Sequence, residues 1–351
     1  MSITAPRTAL AWALACAACP ATDDDRGAQP WTTEATTSSD GSSTVGAELE
    51  ASSHGDPSDG GSSTAAGTDD TAVDDSTGAP ACEPPPPDPS WLEDEIVDVV
   101  EHLGGVQPID GVLLGDRANP QRRALAAGWL QQRFVDLGLD TELHEYGSGT
   151  NVIARLPATG ASQGTWVLGA HYDSVPGSPG ANDNATGVAI VVAAARQLAA
   201  LPCRSHDVLF VAFDEEELGL VGSGAMAAKL VADREPVIAV HTIDQMGWDQ
   251  DGDRRVELER ADAGLFEFYD DVVDELPAIE GLTPTDTGFT DHVSFRAQGF
   301  AAVGLTEEYV SGDTTPHYHQ SSDTVDTVMP AYTRSTATLV NLAFARAITP
   351  P

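Results

Sequence analysis

Basic residues are scarce in this chain. Lysine and arginine number 17 among 351 residues, against 55 aspartates and glutamates, for a formal net charge of -38. Holding nucleic acid by phosphate neutralisation needs a basic patch, and none is visible. Binding to an anionic lipid surface through charge is excluded on the same ground. Cysteine is scarce too, with four in the whole chain and no pairs at zinc-finger spacing. Long apolar runs are missing. The stretch Ala9-Leu10-Ala11-Trp12-Ala13-Leu14-Ala15 is too short to cross a bilayer as a helix. What remains is a soluble, self-repelling acidic protein, long enough for one large domain or two small ones.

The same stretch, preceded by Arg7, reads as an export signal over residues 1–19. Ala13-Leu14-Ala15-Cys16 resembles a bacterial lipoprotein box with an unfavourable first residue, and Cys16-Ala17-Ala18-Cys19 is a weaker candidate. Cleavage near Ala15 or Ala18 without a lipid fits as well. The expected location is therefore exported, either secreted or a cell-envelope lipoprotein, with any membrane attachment made through an N-terminal lipid. Cys82 and Cys203 are left for the mature chain. In an oxidising compartment they could pair, or stay two unrelated thiols.

Residues 20–89 are rich in Ser, Thr, Asp, Gly and Pro and nearly devoid of large apolar side chains. Such a segment cannot bury enough surface to offset its ordering entropy, so it reads as a disordered linker. It ends in Pro84-Pro85-Pro86-Pro87, a stiff spacer. Order is expected from Ser90, where Ser90-Trp91-Leu92-Glu93 has the pattern of a capping box, and residues 90–351 form the catalytic domain. Helices are predicted from Ser90, over Gln121–Leu137, Gly187–Leu198, Leu218–Leu230 and Pro330–Ala347. Strands are predicted at Asn151–Ala154, Thr165–Ala170, Val208–Phe213 and Val237–Val240. The continuous apolar run Val208-Leu209-Phe210-Val211-Ala212-Phe213 suits a strand buried on both faces. This alternation predicts an α/β three-layer sandwich, with a mixed, largely parallel central sheet flanked by helices.

Polar residues cluster just after the predicted strands, where open α/β sheets build their sites. His171 follows one strand, and Asp173 lies two residues on, able to hold the imidazole's second nitrogen. Asp183 precedes a helix among small residues, as an N-cap or as a carboxylate open to close approach by ions. The run Asp214-Glu215-Glu216-Glu217 follows the most apolar strand. It is either a solvated helix start or a metal ligand beside a free base. Asp244 ends another apolar segment, where an unpaired carboxylate is costly. His317 and His319 compete for one further role. Two histidines, several carboxylates and one spare acid are the donor set of a two-metal hydrolase.

Five segments carry a resemblance. They are Gly169-Ala170-His171-Tyr172-Asp173-Ser174, Gly180-Ala181-Asn182-Asp183-Asn184-Ala185-Thr186-Gly187, Phe210-Val211-Ala212-Phe213-Asp214-Glu215-Glu216-Glu217-Leu218-Gly219, Thr290-Asp291-His292-Val293-Ser294-Phe295 and Tyr318-His319. In this order they resemble the secreted di-zinc aminopeptidase family of the leucyl aminopeptidase and aminopeptidase Y/S type. The resemblance implies two Zn2+ ions, one held by His171 and Asp244, the other by Glu217 and His319, with Asp183 bridging. It implies Glu216 as general base and Tyr318 as oxyanion stabiliser. Leu218-Gly219 and Gly222-Ser223 set the register that selects Glu216 and Glu217, although Glu215 leaves a one-residue shift open. His319 is preferred to His317 by its spacing from Asp323 and Thr324. The expected substrate is the N-terminus of a peptide or protein. Zinc, cobalt and manganese can fill similar sites. Alternatives on the same fold are a glutaminyl-peptide cyclotransferase or a carboxypeptidase or dipeptidase relative. A non-catalytic binding protein is the alternative of a different class.

Overall fold

In the computed structural model, residues 82–350 are described. The signal segment and most of the linker lie outside the described residues. No described helix is long and apolar enough to cross a membrane.

Eight strands form one mixed sheet. In chain order they are β1 (Asp140–Tyr146), β2 (Gly149–Leu156), β3 (Thr165–His171), β4 (Asp207–Phe213), β5 (Val237–Asp244), β6 (Val256–Glu259), β7 (Leu282–Thr285) and β8 (Ala302–Thr306). They lie side by side as β1-β2-β4-β3-β5-β8-β6-β7. The central four, β4, β3, β5 and β8, run parallel. Antiparallel pairs join β1 to β2, β2 to β4 and β6 to β8, so the sheet is mixed with a parallel centre, as the alternation of elements predicted.

The apolar run of β4 feeds two cores. Val208, Phe210 and Ala212 belong to the larger one, with α1 (Leu92–Leu103), α2 (Pro120–Asp136), α3 (Gly187–Ala199) and α7 (Pro330–Ile348). Leu209, Val211 and Phe213 face the smaller one, with Met226, Ala227 and Leu230 of α4 (Val221–Asp233) and Phe295 of α6 (His292–Ala297). Alternate residues of a strand point to opposite faces, so an unbroken apolar strand needs a cover on each side. A seventh helix, α5 (Glu267–Val273), packs against α7. Nearly every residue of α3 is buried, including all of Gly187–Ala195. This follows from its all-round apolar composition.

Local signals behave as chemistry dictates, with exceptions. Asn119 caps α2 by accepting from the Arg122 N–H at 3.0 Å, Pro120 begins it, and Gly138 ends it with φ +79°. The expected capping box at Ser90 does not form. Trp91 stands at the N-cap with no side-chain cap, because the Leu92 N–H donates to the Pro89 carbonyl and Glu93 is taken by Arg334 at 3.0 Å. The helix expected from Leu218 starts three residues later, since Gly219 and Leu220 adopt left-handed conformations.

The chain is tied down ahead of Ser90, earlier than the composition suggested. Cys82 is disulfide-bonded to Cys203, with Cα atoms 5.6 Å apart. The Pro86 carbonyl accepts from Gln197 Nε2 at 2.7 Å, and Asp88 pairs with Arg334. The open question of the two thiols is thus answered by pairing, at the end of the linker.

Candidate metal centre and catalytic cleft

The C-terminal ends of β3, β4 and β5 and the loop after β8 converge on one cleft. His171 is the last residue of β3 and is buried. Its Nδ1 lies 3.3 Å from Asp173 Oδ1, and its Nε2 lies 3.3 Å from Asp183 Oδ1 and 3.4 Å from Asp244 Oδ1. On the other side, His319 Nε2 lies 3.3 Å from Asp183 Oδ2 and 3.1 Å from Glu217 Oε2. The two oxygens of Asp183 therefore face two different histidines.

Backbone architecture aims these groups. The segment 181–186 turns tightly between β3 and α3, and its Asp183–Asn184 peptide is cis. Asp323 accepts from the N–H groups of Asn182 and Asp183 at 2.8 and 3.1 Å. Asn184 ties the turn to β5, donating to the Ile243 carbonyl at 2.7 Å. Gly180 enters with φ +66°, and a Cβ there would stand 2.5 Å from the Asp183 carbonyl oxygen, so only glycine fits.

The four consecutive acids after β4 divide their roles. Asp214 pairs with Arg123 and accepts from the Thr150 N–H. Glu215, at φ +58°, turns away to Arg123 at 2.8 Å and accepts from Ser148 Oγ at 2.6 Å. Glu216 and Glu217 enter the cleft, their N–H groups held by the Asp173 carboxylate at 3.1 and 3.2 Å. The left-handed turn at Glu215 thus points that side chain away from the cleft and leaves Glu216 and Glu217 within it. Asp173 also serves His171, so one carboxylate aligns both strand ends.

The seven residues to which the resemblance gave roles all reach this place: His171, Asp183, Glu216, Glu217, Asp244, Tyr318 and His319. Tyr318 is 40 % exposed, lines the cleft and stacks on His319 with centroids 3.7 Å apart. His317 does not take part; its Nδ1 sits 2.9 Å from Ser322 Oγ. Sequence reasoning missed three supporting groups. Arg117 is fully buried and donates to the carbonyls of Leu103, Tyr172, Pro179 and Gly180, locking the loop around Asp183. Asp291 is buried with an unpartnered Oδ1, and burial lifts its carboxyl to about 6. Asp323 was a spacing marker only, yet it holds the Asp183 turn. A buried arginine in a loop has no periodic signature, and Asp291 showed only as part of a motif.

The charge balance asks for cations. Burial pushes Glu216 up to about 10 and Asp244 up to about 7, with neighbouring carboxylates adding to both shifts. Burial also opposes ionisation of Asp183, but His171 and His319 outweigh it and hold that carboxyl below its usual range. Hydrogen bonds that His319 donates to Asp183 and Glu217 raise it to about 10. His171 Nε2, Glu217 Oε1 and Asp244 Oδ1 are buried without hydrogen-bond partners. Buried polar atoms are seldom left so. Two donor sets lie ready, His171–Asp183–Asp244 and Asp183–Glu217–His319, each with its ligand atoms within 4.8 Å of one another. Imidazole nitrogen and carboxylate oxygen are zinc donors, so the residues present fit a pair of zinc ions sharing Asp183.

Comparison with known proteins agrees. Peptidase family M28 matches residues 151–343, which contain all seven cleft residues. The chain belongs to peptidase family M28. The M28 assignment bears out the resemblance drawn from the motifs. Two relatives are named aminopeptidases. Probable lipoprotein aminopeptidase LpqL of Mycobacterium tuberculosis is 32% identical over 209 residues, covering 50% of this chain and 41% of its own length. Aminopeptidase YwaD of Bacillus subtilis is 29% identical over 183 residues, covering 51% of this chain and 40% of its own. The chain thus spans less than half the length of either. The solved structure of LapB from Legionella pneumophila superposes with a TM-score of 0.66 at 23% identity, over 73% of this chain and 72% of that one. At that identity the likeness speaks for the M28 fold alone.

Proposed function

We propose that residues 90–351 form a two-zinc aminopeptidase domain that removes N-terminal residues from peptides. The observation that carries this reading is Asp183, whose two carboxylate oxygens face two separate donor sets. In it, His171 and Asp244 would hold one zinc ion, Glu217 and His319 would hold the other, and Asp183 would serve both. When bound, such a pair lowers the pKa of water toward neutrality and polarises the scissile carbonyl.

The remaining chemistry belongs to side chains. Glu216 takes the proton of the attacking water and returns it to the leaving amine. Burial raises its proton affinity and adjacent cations would lower it again, so that it starts as the carboxylate a base must be. Tyr318, whose phenol is pushed well above its ordinary range by burial and four cleft carboxylates, stays protonated and donates to the developing oxyanion. The substrate's free α-amine, a cation, sits among the cleft acids, which makes the enzyme an exopeptidase. An N-terminal signal and tether would deliver the domain outside the cell, secreted or anchored by a lipid on Cys16 or Cys19. The support is the leader sequence and the word lipoprotein in the name of LpqL.

Asp173 is the positioning residue of this scheme. Asp173→Asn should weaken zinc binding about 10–100-fold, because the amide holds the His171 ring and the Glu216 and Glu217 N–H groups less well. Competition against a calibrated chelator measures it, and unchanged affinity would remove Asp173 from the scheme. Activity is tested with three peptides: a free N-terminal leucyl peptide, its N-acetylated form and an N-terminal glutaminyl peptide. Release of leucine from the first alone, with the glutaminyl peptide hydrolysed or untouched, supports the reading. Loss of ammonia from the glutaminyl peptide without peptide cleavage points instead to a cyclotransferase.

A further inference from the structure

The cleft is a cavity of about 280 Å3, and beside Asp183, Glu216 and Asp244 a fourth carboxylate, Glu259, forms part of its wall. Glu259 ends β6, where it pairs with Gly304 of β8, which in turn pairs with Thr242 of β5, two residues before Asp244. Glu259 is thus two strands away from Asp244, roughly 10 Å across the sheet at ordinary strand spacing. Glycine at 304 makes the room, since a Cβ there would stand 2.6 Å from Glu259 Oε2.

The state of this carboxylate is unusual. It is 2% exposed, and it accepts from Thr290 Oγ1 at 2.6 Å. No lysine or arginine pairs with it among the described residues. Arg260 donates to the Asp286 carbonyl, and Arg296 is paired with Asp262 at 2.6 Å. His292 Nδ1 lies 3.5 Å away, but burial, helped by Arg296 and Arg260, pushes that imidazole down to about 4 and leaves it neutral. Glu257, on the same strand and face, makes the contrast. It is consumed by the N–H groups of Val310 and Ser311 and by the Ser311 hydroxyl. A buried carboxylate without a counter-charge is costly, and a cationic ligand removes that cost. The remaining walls suit the stem of such a ligand. Phe289 and Tyr309, 76% and 46% exposed, line the same cavity, and aromatic faces cover methylene chains and attract cations.

We propose that this cavity receives the side chain of the substrate's N-terminal residue and that Glu259 selects lysine or arginine there. The inference rests on the aminopeptidase reading. A substrate held by its α-amine among the acids near Asp244 needs a long side chain to reach Glu259. A leucyl side chain stops short and seals the carboxylate from water with no partner.

The experiment uses the full chain loaded with zinc. It compares kcat/KM for lysyl, arginyl and leucyl p-nitroanilides, and binding of free L-lysine against the uncharged L-norleucine by calorimetry. The wild type should favour the lysyl and arginyl substrates over the leucyl one and bind lysine more tightly than norleucine. In Glu259→Gln, which keeps the size and the Thr290 contact, the lysyl-to-leucyl ratio should fall by about thirtyfold or more, with the change carried in KM. Lysine binding should weaken with it, and a melting curve checks that the variant is folded. A wild type that favours the leucyl substrate and binds norleucine at least as tightly as lysine, or a ratio unmoved by Glu259→Gln, overturns the proposal while the aminopeptidase reading stands. Cleavage of none of the three substrates overturns both.

Discussion

Glu216→Ala lowers kcat by about 10²–10⁴-fold, the range a positioned general base supplies, and leaves the zinc content of the protein unchanged. Both halves follow from geometry. Glu216 lines the cleft beside Asp183 and Asp244, yet neither donor set that shares Asp183 needs it. Asp291, Asp244 and Glu217 lie near it and raise its proton affinity, while bound cations would hold it as the carboxylate that accepts the water's proton. Glu216→Gln keeps the volume and removes the basic oxygen, and should fall as far as Glu216→Ala. Metal analysis and turnover on the same samples decide the matter. Parallel loss of zinc and activity would make Glu216 a ligand. A loss confined to Glu215→Ala would move the base by one residue, against the ion pair that Glu215 makes with Arg123.

Asp183→Ala should have the opposite signature, with zinc content falling below one ion per chain and activity lost with it. One carboxylate lies within 3.3 Å of both histidines through separate oxygens, so its removal takes a ligand from both sets at once. By contrast, Asp244→Ala and His319→Ala each spoil one set and should leave close to one ion. Inductively coupled plasma mass spectrometry on dialysed protein reads these outcomes. Two ions retained in Asp183→Ala would contradict the bridging role. The substitution also relieves a crowd of acids, so the variant is expected to stay folded, and a melting curve shows whether it does.

Much of this site was legible in the sequence because its residues break a physical rule. A carboxylate at the end of an apolar strand, as with Asp244 after Ile243, has no inexpensive explanation within the fold. Several such breaks in one chain, all at strand ends, point to a common place in a parallel sheet. The two-sided burial of β4 was legible for the same reason, since an unbroken apolar strand must be covered on both faces. Other elements gave weaker signals. β1, Asp-Thr-Glu-Leu-His-Glu-Tyr, is an edge strand largely open to solvent, and its composition reads as surface loop. β6 and β7 have four residues each, too few for a period to show. Glu259 was hidden inside Val-Glu-Leu-Glu, where alternation suggests a solvated face, whereas β8 and the loop 287–292 bury it. Arg117 reads as a surface residue after Gly115-Asp116, and only the converging carbonyls of four distant residues make it internal. The capping box at Ser90 failed because Arg334, more than 240 residues away, claims the glutamate the box would use. Local rules describe the segment alone, and tertiary partners outbid them.

The most direct test is zinc stoichiometry on the purified chain, measured with chromophore release from leucine p-nitroanilide before and after chelation. Two zinc ions per chain, turnover abolished by the chelator and restored by zinc, is the expected result. One zinc ion with no release, or turnover indifferent to metal removal, would contradict a two-zinc aminopeptidase.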